Sequence, residues 1–113
     1  MEISQFLGQL KTVIAELDYV EQLAIEEIEE KLVKGTIYLQ KNYLLVFRYN
    51  SIRYSFSFSL LFNQQRIWGI DRDNRIGWHT HSLHNTDEHT PIEATENIAK
   101  IIEIFDGIWR KLE

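Results

Sequence analysis

Residues 43–62 read YLLVFRYNSIRYSFSFSLLF. Two runs of β-branched and aromatic residues alternate with small or polar ones, and Asn50-Ser51 stands between them. Alternation of that kind marks strands, and a polar dipeptide between two such runs marks a tight turn. A loop of Asn50 and Ser51 sets Tyr49 against Ile52, Phe47 against Tyr54, Leu45 against Phe56 and Tyr43 against Phe58. One sheet face is then aromatic. The other carries Arg48 against Arg53, followed by Ser55, Ser57 and Ser59.

Working outward, Asn63-Gln64-Gln65 is the next turn. A three-residue loop pairs Phe62 with Arg66 and sends Trp68 and Ile70 to the aromatic face. Asp71 and Asp73 then lie on the polar face, near Ser57 and Ser55. A two-residue loop reverses every side chain, exposing Trp68 and burying the aspartates. The buried face sets register, which favours the longer loop. After the turn in RDNRI, Trp78 belongs with Trp68 and Ile70. His79 and His81 therefore fall on the polar face beside Asp71, because strand side chains alternate.

Both ends of the chain repeat apolar residues at helical spacing. Ile3, Phe6, Leu7, Leu10, Val13, Ile14 and Leu17 predict a helix over 3–17, with Ser4 as its cap. Thr90-Pro91-Ile92-Glu93 reads as a helix start: Thr90 as N-cap, Pro91 in the first turn, Glu93 closing a capping box. Ala94, Ile98, Ile101, Ile102, Phe105, Ile108, Trp109 and Leu112 follow at matching intervals. Gly107 costs that helix about 1 kcal/mol relative to Ala, which points to close packing there. Residues 82–89 form a polar loop that holds His84 and His89.

Residues 19–34 are mixed. EQLAIEEIEEKL is rich in helix formers, yet Val20, Val33 and the later TIYL favour strand. Residues 20–40 are read as extended and interrupted, with Gly35 at a bulge or bend. The expected fold class is α+β: one domain over residues 1–113, an antiparallel meander sheet with N-terminal and C-terminal helices packed on one face.

Composition narrows the setting. The chain has 113 residues and is 44% hydrophobic, enough to bury a core and too much for a disordered chain. Cysteine is absent, which excludes disulfides and thiolate metal sites and fits a reducing cytoplasm. The start MEISQFLGQLK lacks the basic and apolar regions of a signal peptide. No apolar run approaches the roughly 18 residues that span a bilayer. A cytoplasmic protein without membrane attachment is expected. Net charge is −5, but Glu16, Asp18, Glu21, Glu26, Glu27, Glu29 and Glu30 fall within residues 16–30, where no base occurs. The acidity is local and leaves room for a small basic patch elsewhere.

The polar face gathers Arg48, Arg53, Ser55, Asp71, Asp73, His79 and His81. In the plainest reading it is polar because it meets water. In a second, Arg48 and Arg53 clamp phosphate through forked donors, with Ser55 and Asp73 beside them. His79 and His81, with an unperturbed pKa of about 6.5, then serve as acid and base, and Asp71 orients one of them. In a third, His79, His81 and an aspartate ligate a metal, a known set for zinc or non-haem iron. A bare His-x-His is weak evidence, so the expectation is a site with no metal and no cofactor. Asp71 and Asp73 also fit as turn residues. No phosphate-binding loop, nucleophile elbow, zinc-protease helix or dinucleotide fingerprint is present.

RYSFSFSL, then IDRDNRIGWHTH, then an amphipathic terminal helix resembles the TumE family, the toxin half of bacterial toxin–antitoxin modules. The family pattern has an Arg-Tyr-Ser/aromatic strand, here Arg53-Tyr54-Ser55. A turn similar to Arg-x-Asp-Asn follows, here Asp71 to Asn74, and then a histidine-rich segment. Where the family usually carries Pro-His-His-x-His, this chain has Gly77-Trp78-His79-Thr80-His81. The resemblance covers roughly residues 20–110. It implies a small helix-turn-helix antitoxin as partner and extended strands over residues 20–40. Two functions are therefore expected to compete. One is a toxin-like protein that binds or cleaves RNA at its polar sheet face. The other is a non-catalytic interaction module whose sheet face or edge strand docks a protein, a second copy of the chain included.

Overall fold

The computed structural model describes residues 1–73, 77–81, 90–91 and 97–112. The elements run α1 (Ile3–Ile14), β1 (Val20–Ile28), β2 (Leu32–Leu39), β3 (Leu44–Asn50), β4 (Ser55–Phe62), β5 (Gln65–Asp73), β6 (Gly77–His81), β7 (Thr90–Pro91) and α2 (Ile98–Arg110). Among the described residues, the strands pair antiparallel in chain order, a meander with no crossover. Both helices lie on one face of this sheet, the expected α+β arrangement. Residues 20–40 are extended, as β1 and β2.

The core is the aromatic face. From α1, Phe6 stacks on Tyr49 at 4.7 Å and reaches Phe47, Phe56 and Phe58. From α2, Phe105 meets Trp68, and Trp109 packs edge-on against Tyr43. Tyr19, just before β1, stacks on Trp109 at 4.5 Å and donates its hydroxyl to Asp106 at 2.6 Å. Each large side chain fully removed from water on this face is worth about 1.5–3 kcal/mol. Phe6, Tyr49, Phe58 and Ile70 are completely buried, so the pleat that keeps them inward is strongly selected.

Two hairpins reach that pleat by routes other than those expected. Between β3 and β4 the loop is the four residues Ser51–Tyr54, not Asn50-Ser51 alone. Asn50 Oδ1 accepts the backbone N–H groups of both Ile52 and Arg53 at 3.0 Å, and this side-chain cap holds the wider turn closed. Tyr49 therefore faces Phe56, Phe47 faces Phe58 and Leu45 faces Leu60. Partners move but faces do not, because the shift is even.

Between β4 and β5 the loop is two residues, not three. Asn63 and Gln64 both take positive φ, 51° and 65°, as a tight hairpin of the primed kind demands. Left alone, that loop turns Trp68 outward. A bulge corrects it: Leu61 faces Arg66 but Leu60 faces Trp68, so Ile67 is one residue extra on β5. Beyond the bulge, Phe58 faces Ile70 and Ser57 faces Asp71, as expected.

Three further expectations need correction. Helix α1 starts from Glu2, not Ser4, with the Glu2 N–H donated to Gln5 Oε1 at 2.9 Å. Thr90-Pro91 does not start the last helix. It forms the edge strand β7, Pro91 opposite His79 and Thr90 opposite Thr80. Proline lacks an N–H to give a ladder, so an edge tolerates it as readily as a helix start does. The N-cap of α2 is Asn97, whose side chain accepts the Ala99 N–H at 2.8 Å. The capping box at Glu93, the helical Ala94 and the loop histidines His84 and His89 lie outside the described residues. Gly107 is exposed, with open space where a Cβ would stand, so close packing does not explain it.

Candidate functional site

Directly opposed residues on neighbouring strands share a face, so the ladder can be read sideways. Lys34 pairs with Arg48, Arg48 with Ser57, Ser57 with Asp71 and Asp71 with His79. These five side chains form one transverse row on the face away from the helices. Four inter-strand steps make it roughly 19 Å long. Cations stand at one end and an imidazole–carboxylate group at the other. Lys34 and Arg48 are like charges placed directly opposite each other, an arrangement that costs stability unless an anion lies over it. Glu27, opposite Lys34 on β1, offsets part of that cost.

At the other end Asp71 is the hub. It is part of strand β5 rather than of a turn, as is Asp73. The Arg66 Nη2 donates to both of its carboxylate oxygens, at 3.1 and 3.0 Å. The His81 Nε2 lies 3.0 Å from Oδ2, and the His79 Nε2 lies 3.8 Å from the same oxygen. His79 Nδ1 is 3.0 Å from the Gly77 carbonyl oxygen. A carbonyl only accepts, so Nδ1 carries the proton and, in the neutral ring, Nε2 presents its lone pair toward Asp71. The two imidazole rings meet edge to face at 5.2 Å. Both are buried, 2% and 5% exposed, although they point away from the helix layer. This differs from the water-facing histidines that the pattern suggested.

A shallow depression of about 220 Å³ joins the two ends. Arg48, Ser55, Phe56, Ser57, Asp71, Arg72 and Asp73 line it. Of the residues singled out from sequence, Arg48, Ser55, Asp71 and Asp73 thus share one hollow, and His79 and His81 stand behind Asp71. Arg53 does not join them. It is exposed in the Ser51–Tyr54 turn, and the position opposite Arg48 belongs to Ser57. A larger cleft of about 670 Å³ lies where α1 nears the start of α2, lined by Gly8, Gln9, Thr12 and Val13 among others. Among the described residues no ionisable side chain lines it, so size alone does not make it the site.

Arg66 and Lys34 were missed from sequence. Lys34 became visible only with the β2–β3 register. Arg66 has a local signal in Gly69: a Cβ there would stand 1.9 Å from Arg66 Nη2. The glycine leaves the space across which the guanidinium reaches Asp71. Its Nε is buried with no hydrogen-bond partner among the described residues, so the Asp71 contact carries the pairing of this cation.

Among the described residues, no helix is long and apolar enough to cross a membrane. No family model, curated protein or solved structure matches the chain.

Proposed function

We propose that the chain is a toxin-like component of a bacterial toxin–antitoxin module that acts in the cytoplasm on RNA at the polar sheet face. The transverse row is the observation that carries this reading, because it sets Arg48 two strand spacings, roughly 10 Å, from Asp71, with Lys34 and His79 beyond them on the same face. Arg48 and Lys34 are suited to hold backbone phosphate, and Ser55 and Ser57 add hydroxyl donors in the same hollow. Asp71, His79 and His81 supply the reacting end. The resemblance to the TumE family supports the toxin role and the helix-turn-helix antitoxin partner.

The test is binding of single-stranded RNA, measured across a salt series, together with growth inhibition on expression. Arg48→Ala is expected to weaken RNA binding and to flatten the salt dependence by about 0.7 for each phosphate no longer neutralised. His81→Ala is expected to leave binding in place and to abolish RNA cleavage and growth inhibition. If both variants bind, cleave and inhibit like the parent, the polar face is not the site.

A second reading, a non-catalytic interaction module, has one observation in its favour. β1 is an edge strand that displays Ile25 and Ile28, 37% and 60% exposed. Such an edge accepts an added strand from a partner. Tight co-purification with the product of the neighbouring gene, with no effect on RNA, would select this reading.

A further inference from the structure

We infer that Asp71, His79 and His81 bind one divalent transition-metal ion, with zinc the best fit. One ligand atom from each of the three lies within 4.8 Å of the other two. Ligands of a tetrahedral zinc at about 2.0–2.1 Å from the metal sit roughly 3.4 Å apart, so only a small contraction separates this cluster from a filled site. The ligands stand on hydrogen-bonded neighbouring strands. Asp71 and His79 are directly paired on β5 and β6, and His81 is one pleat further along the same face.

The surroundings are those of a ligand shell. The Gly77 carbonyl takes the His79 Nδ1 proton and turns the Nε2 lone pair toward the carboxylate. Arg66 holds both oxygens of Asp71 and so fixes the direction in which the carboxylate faces. Both imidazoles are buried, so little hydration has to be stripped from them when they ligate an ion. Arg66 also cancels much of the carboxylate's charge. That selects against magnesium and calcium, which depend on carboxylate oxygens, and leaves the affinity to the two imidazoles, which prefer zinc and its first-row neighbours. Three protein ligands leave a fourth position for solvent. A water held there has its pKa lowered to about 7, the property that makes such sites hydrolytic. This departs from the metal-free site expected from sequence. The metal site rests on ligand geometry and stands apart from the RNA reading.

The experiment uses the full chain without a histidine tag, stripped with chelator and titrated with zinc against a chromophoric competitor. Expected is one zinc per chain at micromolar affinity or tighter, with magnesium failing to compete. Asp71→Asn, His79→Gln and His81→Gln are each expected to lose that site, while Arg48→Ala keeps it. Zinc that survives all three ligand variants, or that disappears instead with His84→Gln and His89→Gln, overturns the assignment. So does affinity no better than millimolar. A ligand variant that fails to fold would also lose the ion, so the parent protein is separately loaded with cobalt. An intense visible absorption band of a tetrahedral ion supports the site, and the faint band of hydrated cobalt refutes it. No RNA enters these measurements, so failure here leaves the Arg48 test untouched, and the reverse holds.

Discussion

Ile67 is the one residue by which β5 departs from an unbroken ladder with β4, and deleting it tests whether face parity, rather than the bulge itself, assembles the site. Ile67 is the extra residue between the pairs Leu61–Arg66 and Leu60–Trp68. Removing it joins those pairs into an unbroken ladder beneath the same Asn63-Gln64 turn. Trp68 and Ile70 stay inward, and Asp71 stays outward. The loss is one half-buried side chain, about 1 kcal/mol against the 1.5–3 kcal/mol of full burial, partly offset by ladder bonds regained. Deleting Ile70 is the matched control, since it also shortens β5 by one residue. It sets Asp71 opposite Phe58 and turns Asp73 inward as well, onto a face where Phe58 and Phe56 are 0% and 2% exposed. That change loses about 1.5–3 kcal/mol of Ile70 burial. It adds several kcal/mol for each carboxylate taken from water. Together these rival the roughly 5–15 kcal/mol that holds a domain of this size folded. Urea unfolding followed by tryptophan fluorescence reads both variants. The Ile67 deletion is expected to unfold cooperatively close to the parent midpoint, and the Ile70 deletion to show no cooperative transition. If the Ile67 deletion is the one that fails, or both fold equally well, face parity does not build this site.

Two further outcomes concern the scaffold. Burial pushes the Asp106 carboxyl up, but hydrogen bonds from Tyr19 and Arg110 outweigh it and hold the group below its ordinary range. Stability from this pair is therefore complete above about pH 4 and is lost as pH falls through the lowered folded value. Tyr19→Phe is expected to cost about 1–2 kcal/mol at neutral pH, with the gap to the parent narrowing in acid; denaturant titrations at several pH values check it. Gly35→Ala places a Cβ 2.5 Å from Phe47 Cζ and 2.7 Å from the Ala24 carbonyl oxygen. The phenyl ring can turn aside but the Ala24 backbone cannot, so a loss of about 1–3 kcal/mol is expected in the same assay.

What could be read from the sequence follows from what alternation encodes. A period of two reports the face of a residue and nothing about its partner. An even error in register is therefore harmless to face assignment, and the Asn50–Tyr54 turn is one: partners moved, yet Phe47, Tyr49, Phe56 and Phe58 remained inward. An odd error is fatal, and the second hairpin escaped it because two changes cancelled, a loop shorter by one and a strand longer by one. That cancellation is not luck. Any local geometry that left Trp68 in water and Asp71 in the core was excluded by burial energy before the turn was chosen. Residues within strands, Asp71, His79 and His81, consequently landed beside one another as expected. Residues outside them had no such protection. Arg53 sits in a turn, where alternation does not apply, and it left the group. Thr90-Pro91 satisfied a four-residue helix motif that an edge strand satisfies equally well. Arg66 stands next to the bulge, where the periodic signal breaks, and only the missing Cβ of Gly69 points to it. The site is thus most secure where it depends on parity alone, at the β5–β6 pair. The phosphate-holding end depends instead on Arg48 meeting Lys34 across β2 and β3. A result that separates the two ends, metal bound but RNA ignored, would follow that same division.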